Sequence, residues 1–568
     1  MYWQELKNKL ASQCGVEASD FVYPPQAELG DLSLSLFNQA KILKLKAPEL
    51  AIKLKDVLEN NQDLNKDIKE VRALGPYLNI FLNEAELAKE TINEIQKKSI
   101  DFGKFRMKSK RNLMIEYSNG NTHKEYHVGH LRNLFFGASL TRLLSFVGHR
   151  VIPVSYINDF GIHVAKTLWA WKNSDEFKEQ REKKEQIIDK GRFLGTVYSV
   201  SSKELMANPE GKDQVSVIMK EIENRNGEYY KLWEETRRWS IDYFDKIYKN
   251  FNIHFDHIFY ESEVIQEGIK LVDDLLEKKV LIKSQGAIVA DLSLYGLGVL
   301  PVIRTDGTAL YAAADLALAD EKFKKYEIDE SIYVVDVRQS LYFKQLAKIF
   351  DLAQSDYKIS HLTYDFVTLK SGMMASRSGN IISYDDILSD AILRAKKEVS
   401  SRHDDWSEEK IKQTAESLAK SALSFEMLKV GREKVIVFDV EEALRFDGYT
   451  AAYLQYSGAR LSSILRKSND EIAQVDFSLL NKFKEKQILI QLQKFSESVC
   501  QAAEKRDPSL IARYLFELAQ LFNDYYHSVS ILKEEESLRK ARLSLITSIQ
   551  IVLKNAFQLL GLDYLEEM

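Results

Sequence analysis

Cysteine is nearly absent: Cys14 and Cys500 are the only two in 568 residues. Two cysteines so far apart exclude a zinc site of the usual kind and favour a reducing compartment. A surplus of basic charge is missing as well. The net charge is −5, so nothing global marks a nucleic-acid binder, and any contact with RNA has to come from local patches. The start, MYWQELKNKL, has no apolar signal core, and no run approaches the length of a membrane span. The cytoplasm is therefore the default, with no membrane partner. Neither an internal repeat nor a low-complexity segment is visible. What is present is a composition of 45% hydrophobic and 29% charged residues, enough for an ample core and, at this length, about three or four domains.

The chain is organised around residues 112–132, NLMIEYSNGNTHKEYHVGHLR. Leu113, Met114 and Ile115 form a short apolar run that ends on Glu116 and Tyr117, and SNGN at 118–121 breaks it, which predicts a strand and a turn. A helix is predicted to start near His127, with Leu131, Leu134, Phe135 and Ala138 on its apolar face and Gly148 as its stop. RVIPVSYI at 150–157 reads as the next strand. Strand, turn, helix, strand is half of a nucleotide-binding α/β unit, whose ligand sits at the carboxyl ends of the strands. A helix amino terminus carries unpaired N–H groups and partial positive charge, and so attracts phosphate. His127 and His130 lie on its first turn and can both donate to phosphate oxygens. Gly129 between them lets a base or ribose approach the backbone closely, and Lys124 adds a mobile positive charge just upstream. HxGH alone reads more readily as two surface histidines at a helix start; the strand-turn-helix setting and a second half-site later in the chain favour the phosphate.

HVGH at 127–130 in this setting resembles the HIGH signature of the class I aminoacyl-tRNA synthetases, and NGNTHKEYHVGHLRN is similar to the arginyl-tRNA synthetase version. The resemblance extends over essentially the whole chain. It implies an α/β fold: a class I Rossmann-type catalytic domain with an N-terminal α/β accessory domain and a C-terminal all-α helical bundle. The expected division is 1–105 for the tRNA-contacting accessory domain, 106–390 for the catalytic domain with a mostly helical insertion at about 165–290, 391–445 for a helical connector and 446–568 for the anticodon-binding bundle.

In the first domain GDLSLSL, with Leu32, Leu34 and Leu36 alternating, and GPYLNIFL resemble the family's N-terminal domain; a generic accessory domain without RNA contact is the alternative. The basic run at 104–111 faces either RNA phosphates or solvent. FKEQREKKEQ at 177–186 is a solvated helix face, and 234–263 resembles the family's insertion, to which no catalytic role is assigned. AIVADLS, near Ala287, is expected to open the second half of the sheet. After a turn at Asp306 and Gly307, TALYAAADLALAD favours helix, with Tyr311 and Asp315 four apart on one face. IYVVDV at 332–337 is a buried strand, and Gln339 sits at its carboxyl edge, where a ligand belongs in such a fold.

The family's arginine pocket, carried over residue by residue, places Glu116 and Asp315 around the guanidinium, Tyr311 beside it, and Asn121 and Gln339 on the α-amino and carboxylate groups. The residue types make sense independently, because a planar guanidinium with five donors is answered best by carboxylates. GMMASRSGN at 372–380 resembles the family's mobile KMSKS-type loop over the ATP phosphates, so that Met374, Ser376 and Arg377 join His127, Gly129 and His130 as the ATP-binding set. The loop's lysine positions hold Met373 and Ser378 instead. Some family members lack the loop lysine and carry one before HIGH, a place that Lys124 fills here; a catalytically weakened loop is the alternative.

Near the C-terminus Tyr449, Tyr453, Tyr456 and Arg460 follow 0, 4, 7, 11 spacing, opposite Leu454, Leu461 and Leu465. Such a stripe is either core or a stacking surface for unpaired bases. The string resembles the start of the anticodon-binding bundle, which makes Tyr456 and Arg460 the tRNA-binding candidates.

The resemblance implies an arginine–tRNA ligase working through an arginyl-adenylate, with Lys124, His127, His130 and Arg377 as the catalytic set. ATP would serve as substrate with magnesium, without a tightly bound cofactor or structural metal. L-arginine and its tRNA are the partners, the chain would be a monomer, and the family generally needs its tRNA bound before it activates arginine. The rivals are a synthetase for another amino acid, against which Glu116, Tyr311 and Asp315 argue, and a non-catalytic RNA-binding relative, against which the intact HVGH argues. A small adenylyltransferase would not need the flanking domains.

Overall fold

Residues 2–105, 109–370, 383–468 and 470–568 are described by the computed structural model. Four short strands open the chain: β1 (Phe21–Val22), β2 (Leu32–Ser35), β3 (Ile68–Leu74) and β4 (Tyr77–Leu82) form an antiparallel sheet in the order β1-β2-β4-β3. Leu32, Leu34, Leu78 and Ile80 are buried between this sheet and its helices, and Gly75, with φ 59°, makes the tight β3–β4 turn. Ion pairs fasten the module to the far end of the chain, Asp31 to Lys486 at 2.7 Å and Lys7 to Glu497 at 3.0 Å.

The catalytic sheet begins with β5 (Asn112–Glu116), β6 (Arg150–Ile157) and β7 (His257–Tyr260). A small antiparallel sheet of β8 (Ile282–Ser284), β9 (Ala287–Asp291) and β10 (Val299–Ile303) follows, and then β11 (Glu330–Asp336) and β12 (Ile359–Tyr364) complete an all-parallel sheet in the order β12-β11-β5-β6-β7. Two expectations change here. AIVADLS is a strand, but it pairs in a hairpin with β10 and lies outside the parallel sheet. HIFY, expected within the insertion, pairs in parallel with β6 and forms the sheet's edge. Finally, β13 (Val367–Leu369) pairs with β14 (Ile436–Phe438), bringing the segment after residue 390 back beside the sheet.

The strand order reverses direction between β5 and β11, which opens the ligand crevice at their carboxyl ends. Leu113, Met114 and Ile115 on β5 and Ile332 to Val335 on β11 are all buried, as expected of strands covered on both faces. The helix after β5, Val128–Phe146, is buried nearly all round because the C-terminal helices lie against its outer side. Gly137 is what lets it lie this close: a Cβ there would stand 2.2 Å from Cγ of Tyr117. Gly137→Ala is expected to destabilise the protein by about 1–3 kcal/mol through overpacking, read as a lower denaturant midpoint. Arg132 on the same helix donates to the carbonyls of Met427 at 3.0 Å and of Gly431, Arg432 and Lys434 at 3.2–3.3 Å, tying the helix to the segment 427–434.

Helices Ala451–Lys467, Phe483–Lys505, Ser509–Ser528 and Glu536–Leu560 form the C-terminal bundle. The last has the length and apolar composition of a membrane span, contrary to the sequence expectation. It is instead the bundle's core helix, with Leu545, Ile549 and Leu553 fully buried. Its Arg542 pairs with Glu485 at 2.9 Å, both groups shut away from solvent.

Candidate active site

One side of the crevice is built by the turn between β5 and its helix. His127 is the helix N-cap, and its Nδ1 accepts from the Gly129 N–H at 3.1 Å. Nδ1 of His130 accepts from the His127 N–H, also at 3.1 Å. With both Nδ1 atoms occupied as acceptors, the ring proton of each histidine is assigned to Nε2. The rings stack with centroids 3.7 Å apart. Burial, reinforced by the charge of Lys124, holds His127 down at about 4, and burial next to His127 holds His130 well below its ordinary value. The pair is therefore neutral near pH 7 and acts as two Nε2–H donors rather than two charges.

The charge comes from Lys124. Its Nζ lies 5.0 Å from the ring centroid of Tyr198, and among the described residues it makes no ion pair. Burial and then the nearby Lys166 lower its pKa from the usual lysine value. An unpaired ammonium beside two N–H donors at a helix N-terminus is suited to phosphate oxygens.

The other side of the crevice is acidic. Glu116 ends β5 fully buried, and its carboxylate takes Lys322, also fully buried, together with Asn119 Nδ2 at 2.8 Å. Asp315, on helix Tyr311–Tyr326, accepts from the Tyr342 hydroxyl of helix Ser340–Leu352. Burial, opposed by that hydrogen bond and reinforced by the charge of Glu116, pushes Asp315 up to about 7. Glu261 follows β7; burial and then the charges of Asp315 and Asp159 push it up to about 8. Its Oε2 is buried with no hydrogen-bond partner among the described residues. Asp159 is already satisfied by Arg237 at 2.5 Å and by Ser262. The mutual repulsion ties Glu116, Asp315 and Glu261 into one cluster, and Lys322 pairs with Glu116 within it.

Of the residues expected from the sequence, Glu116 and Asp315 are thus brought together. Tyr311 stands at the rim, 57% exposed, its ring 5.2 Å from that of Tyr342. Asn121 bridges through its backbone to Asn158 at the end of β6, and Gln339 is exposed at the start of helix Ser340–Leu352. Met374, Ser376 and Arg377, with Met373 and Ser378, lie outside the described residues. Glu116 is less free than the sequence suggests, because Lys322 balances its charge.

A model of the class I tRNA synthetase (R) catalytic domain matches residues 91–440 of this chain, and models of the arginyl tRNA synthetase N terminal domain and the DALR anticodon binding domain match 4–82 and 454–568. An arginine–tRNA ligase of Bdellovibrio bacteriovorus is 36% identical over 559 residues, spanning 96% of this chain and 94% of that protein. This chain belongs to the arginyl-tRNA synthetase family. Another arginine–tRNA ligase, from Treponema denticola, is 33% identical over 96% of this chain and 94% of its own length. The arginyl-tRNA synthetase of Thermus thermophilus is similar in structure, with a TM-score of 0.78, 27% identity and 100% and 99% of the two chains covered. That of Plasmodium falciparum, at 20% identity and a TM-score of 0.77 over 100% and 98%, shares the fold.

A cavity of about 710 Å³ is lined mostly by the part of the chain that matches the family's anticodon binding domain, including Tyr456, Arg460, Tyr526, His527 and Met568, with Trp406 from the preceding segment. The Arg460 guanidinium lies 4.7 Å from the Tyr456 ring centroid and 4.6 Å from that of Tyr526, steadied by Asn523 at 2.5 Å. The aromatic stripe expected from the sequence divides. Tyr449 lies before the helix, whose N-cap is Thr450, and packs on Phe425 and Phe516. Tyr453 also meets Phe516, and only Tyr456 and Arg460 reach the cavity.

Three site residues escaped the sequence reading: Glu261, Lys322 and Tyr342. Glu261 had a signal, since HIFYE is a short apolar run ending on a carboxylate. Lys322 and Tyr342 act through pairings that no local pattern displays.

Proposed function

We propose that this chain divides its reaction between two neighbouring sites at the carboxyl edge of the sheet, an acidic pocket for the guanidinium of arginine and a donor-rich edge for the phosphates of ATP. The reaction itself is the ATP-dependent ligation of arginine to tRNA. The arginine carboxylate attacks the α-phosphorus of ATP and pyrophosphate leaves; a hydroxyl of the tRNA's terminal ribose then attacks the arginyl carbonyl and AMP leaves. No protein nucleophile is required, so alignment and charge carry the catalysis. ATP enters as its magnesium complex.

In this reading Asp315 takes the guanidinium, with Glu116 and Tyr311 beside it and Glu261 adding negative charge. Asn121 and Gln339 hold the α-amino and carboxylate groups. His127 and His130 donate from Nε2 to the phosphates, Gly129 lets the nucleotide approach the backbone, and Lys124 with Arg377 neutralises charge gained at the reacting phosphorus. Met374 and Ser376 complete the nucleotide side, and Tyr456 and Arg460 take an unpaired base of the tRNA. The enzyme works as a monomer in the cytoplasm.

The observation that carries this reading is the surplus of buried carboxylate over cation around Asp315. A cationic side chain restores the balance, whereas neutral citrulline leaves a charge unpaired and is rejected. The test is the attachment of labelled arginine to total tRNA with and without ATP, in the presence of excess citrulline. ATP-dependent labelling untouched by citrulline is expected; competition by citrulline contradicts the acidic pocket.

The raised carboxylates set a pH dependence. The empty pocket binds protons below about 7 at Asp315 and about 8 at Glu261, and the bound guanidinium expels them. Binding therefore releases protons and tightens as pH rises. The KM for arginine is expected to fall roughly tenfold or more between pH 6 and pH 8, while that for ATP changes little. A flat arginine profile contradicts the assignment.

A further inference from the structure

We propose that Tyr342 is the positioning residue for the arginine-binding carboxylate: its hydroxyl fixes the plane of the Asp315 carboxylate, and that fixed plane selects a planar guanidinium. This rests on the reading of Asp315 as the guanidinium's partner. Asp315 and Tyr342 come from different helices, Tyr311–Tyr326 and Ser340–Leu352, and meet at the crevice through a hydrogen bond from the phenol to Oδ2. The second helix starts just past the carboxyl end of β11, so the sheet itself sets where the hydroxyl lies. The Tyr311 and Tyr342 rings meet edge to face at 60° and 5.2 Å, and Phe343 meets the Tyr342 ring at 80° and 5.4 Å. These contacts hold the phenol against rotation.

A carboxylate can turn about its last bond, and that freedom matters for the ligand it binds. A guanidinium pairs through two parallel N–H groups in one plane, so a turned carboxylate loses one of the two bonds. An ammonium, being a point charge, tolerates the turn. A carboxylate pinned through one oxygen, which still keeps lone pairs free on both, is therefore matched to arginine and gives lysine no advantage.

The same hydrogen bond opposes the protonation of Asp315. The groups facing Asp315 are Glu116 from β5, Tyr156 from β6, Glu261 after β7, Lys322 from its own helix, and Tyr342, which in turn meets Tyr311. Glu116 and Glu261 disfavour its charge, while Lys322 and Tyr342 favour it. Loss of the hydroxyl removes one of the two favourable partners.

The test compares Tyr342→Phe, Tyr342→His and Asp315→Asn with the intact enzyme, by pyrophosphate exchange with tRNA present, between pH 6 and pH 9. In Tyr342→Phe the arginine KM is expected to rise about tenfold, the loss of one hydrogen bond to a charged group. Its fall with pH should move to higher pH, and the ATP KM should stay within twofold. Tyr342→His, which keeps an N–H donor, should recover most of the loss. An arginine KM and pH profile unchanged in Tyr342→Phe, while Asp315→Asn loses arginine, would overturn the role of Tyr342 alone. A loss in Tyr342→His with Tyr342→Phe unchanged would also overturn it, since ring packing rather than the donor would then matter. Arginine binding intact in Asp315→Asn would instead remove the reading on which it rests.

Discussion

Replacing Lys124 by alanine is expected to lower the rate of arginine activation about a hundredfold, the usual cost of losing one charged contact to a transition state. The two histidines are neutral and contribute hydrogen bonds without charge. The loop positions where the family carries lysine hold Met373 and Ser378. In the proposed reading Lys124 and Arg377 offset the negative charge that gathers as pyrophosphate departs. Because the Lys124 ammonium makes no ion pair among the described residues, its removal should scarcely alter folding. The thermal midpoint should stay within a few degrees, and the arginine KM should change far less than the turnover. Near-normal pyrophosphate exchange in the Lys124→Ala protein would reject the assignment and leave Arg377 as the main cation.

Asp315→Asn should act on the other substrate. An asparagine has nearly the same shape but cannot pair with a guanidinium as an anion, and removing one partner of a buried charge pair costs about 2–5 kcal/mol. Arginine binding should therefore weaken by roughly thirtyfold to a few thousandfold, with the ATP KM nearly unchanged. Stability should move the opposite way. The folded protein raises the pKa of Asp315 to about 7, above its unfolded value, so the ionised group costs stability that is absent at low pH and grows as pH rises toward 7. Asp315→Asn removes that cost and should unfold at a slightly higher temperature at pH 8. Equal damage to arginine and ATP binding would mean that the pocket is wrongly placed.

How much of this was legible without coordinates follows from how local each signal is. The strand ending on Glu116, the turn and the helix capped by His127 lie within about thirty residues, and their apolar spacing declares them. That Tyr311 and Asp315 share one helix, four residues apart, needs only one helix turn to be seen. By contrast HIFY is four residues long and follows a long helical stretch; its apolar run ending on Glu261 is a signal, but nothing local marks it as the edge of the parallel sheet. AIVAD reads as a strand, but a hairpin strand and a buried parallel strand show the same apolar run. The neutralisation of Glu116 by Lys322 joins residues 206 apart, beyond the reach of any periodicity. Tyr449 was drawn into a helical stripe because its spacing fits, but Thr450 caps the helix after it.

The measurement that bears most directly on the two-site arrangement is a crystal structure with a non-hydrolysable arginyl-adenylate analogue. The guanidinium is expected against Asp315 beneath Tyr311, with the phosphate mimic beside Nε2 of His127 and His130 and within reach of Lys124. A guanidinium bound away from the cluster of Asp315, Glu116 and Glu261, or a phosphate mimic far from the two histidines, would contradict it.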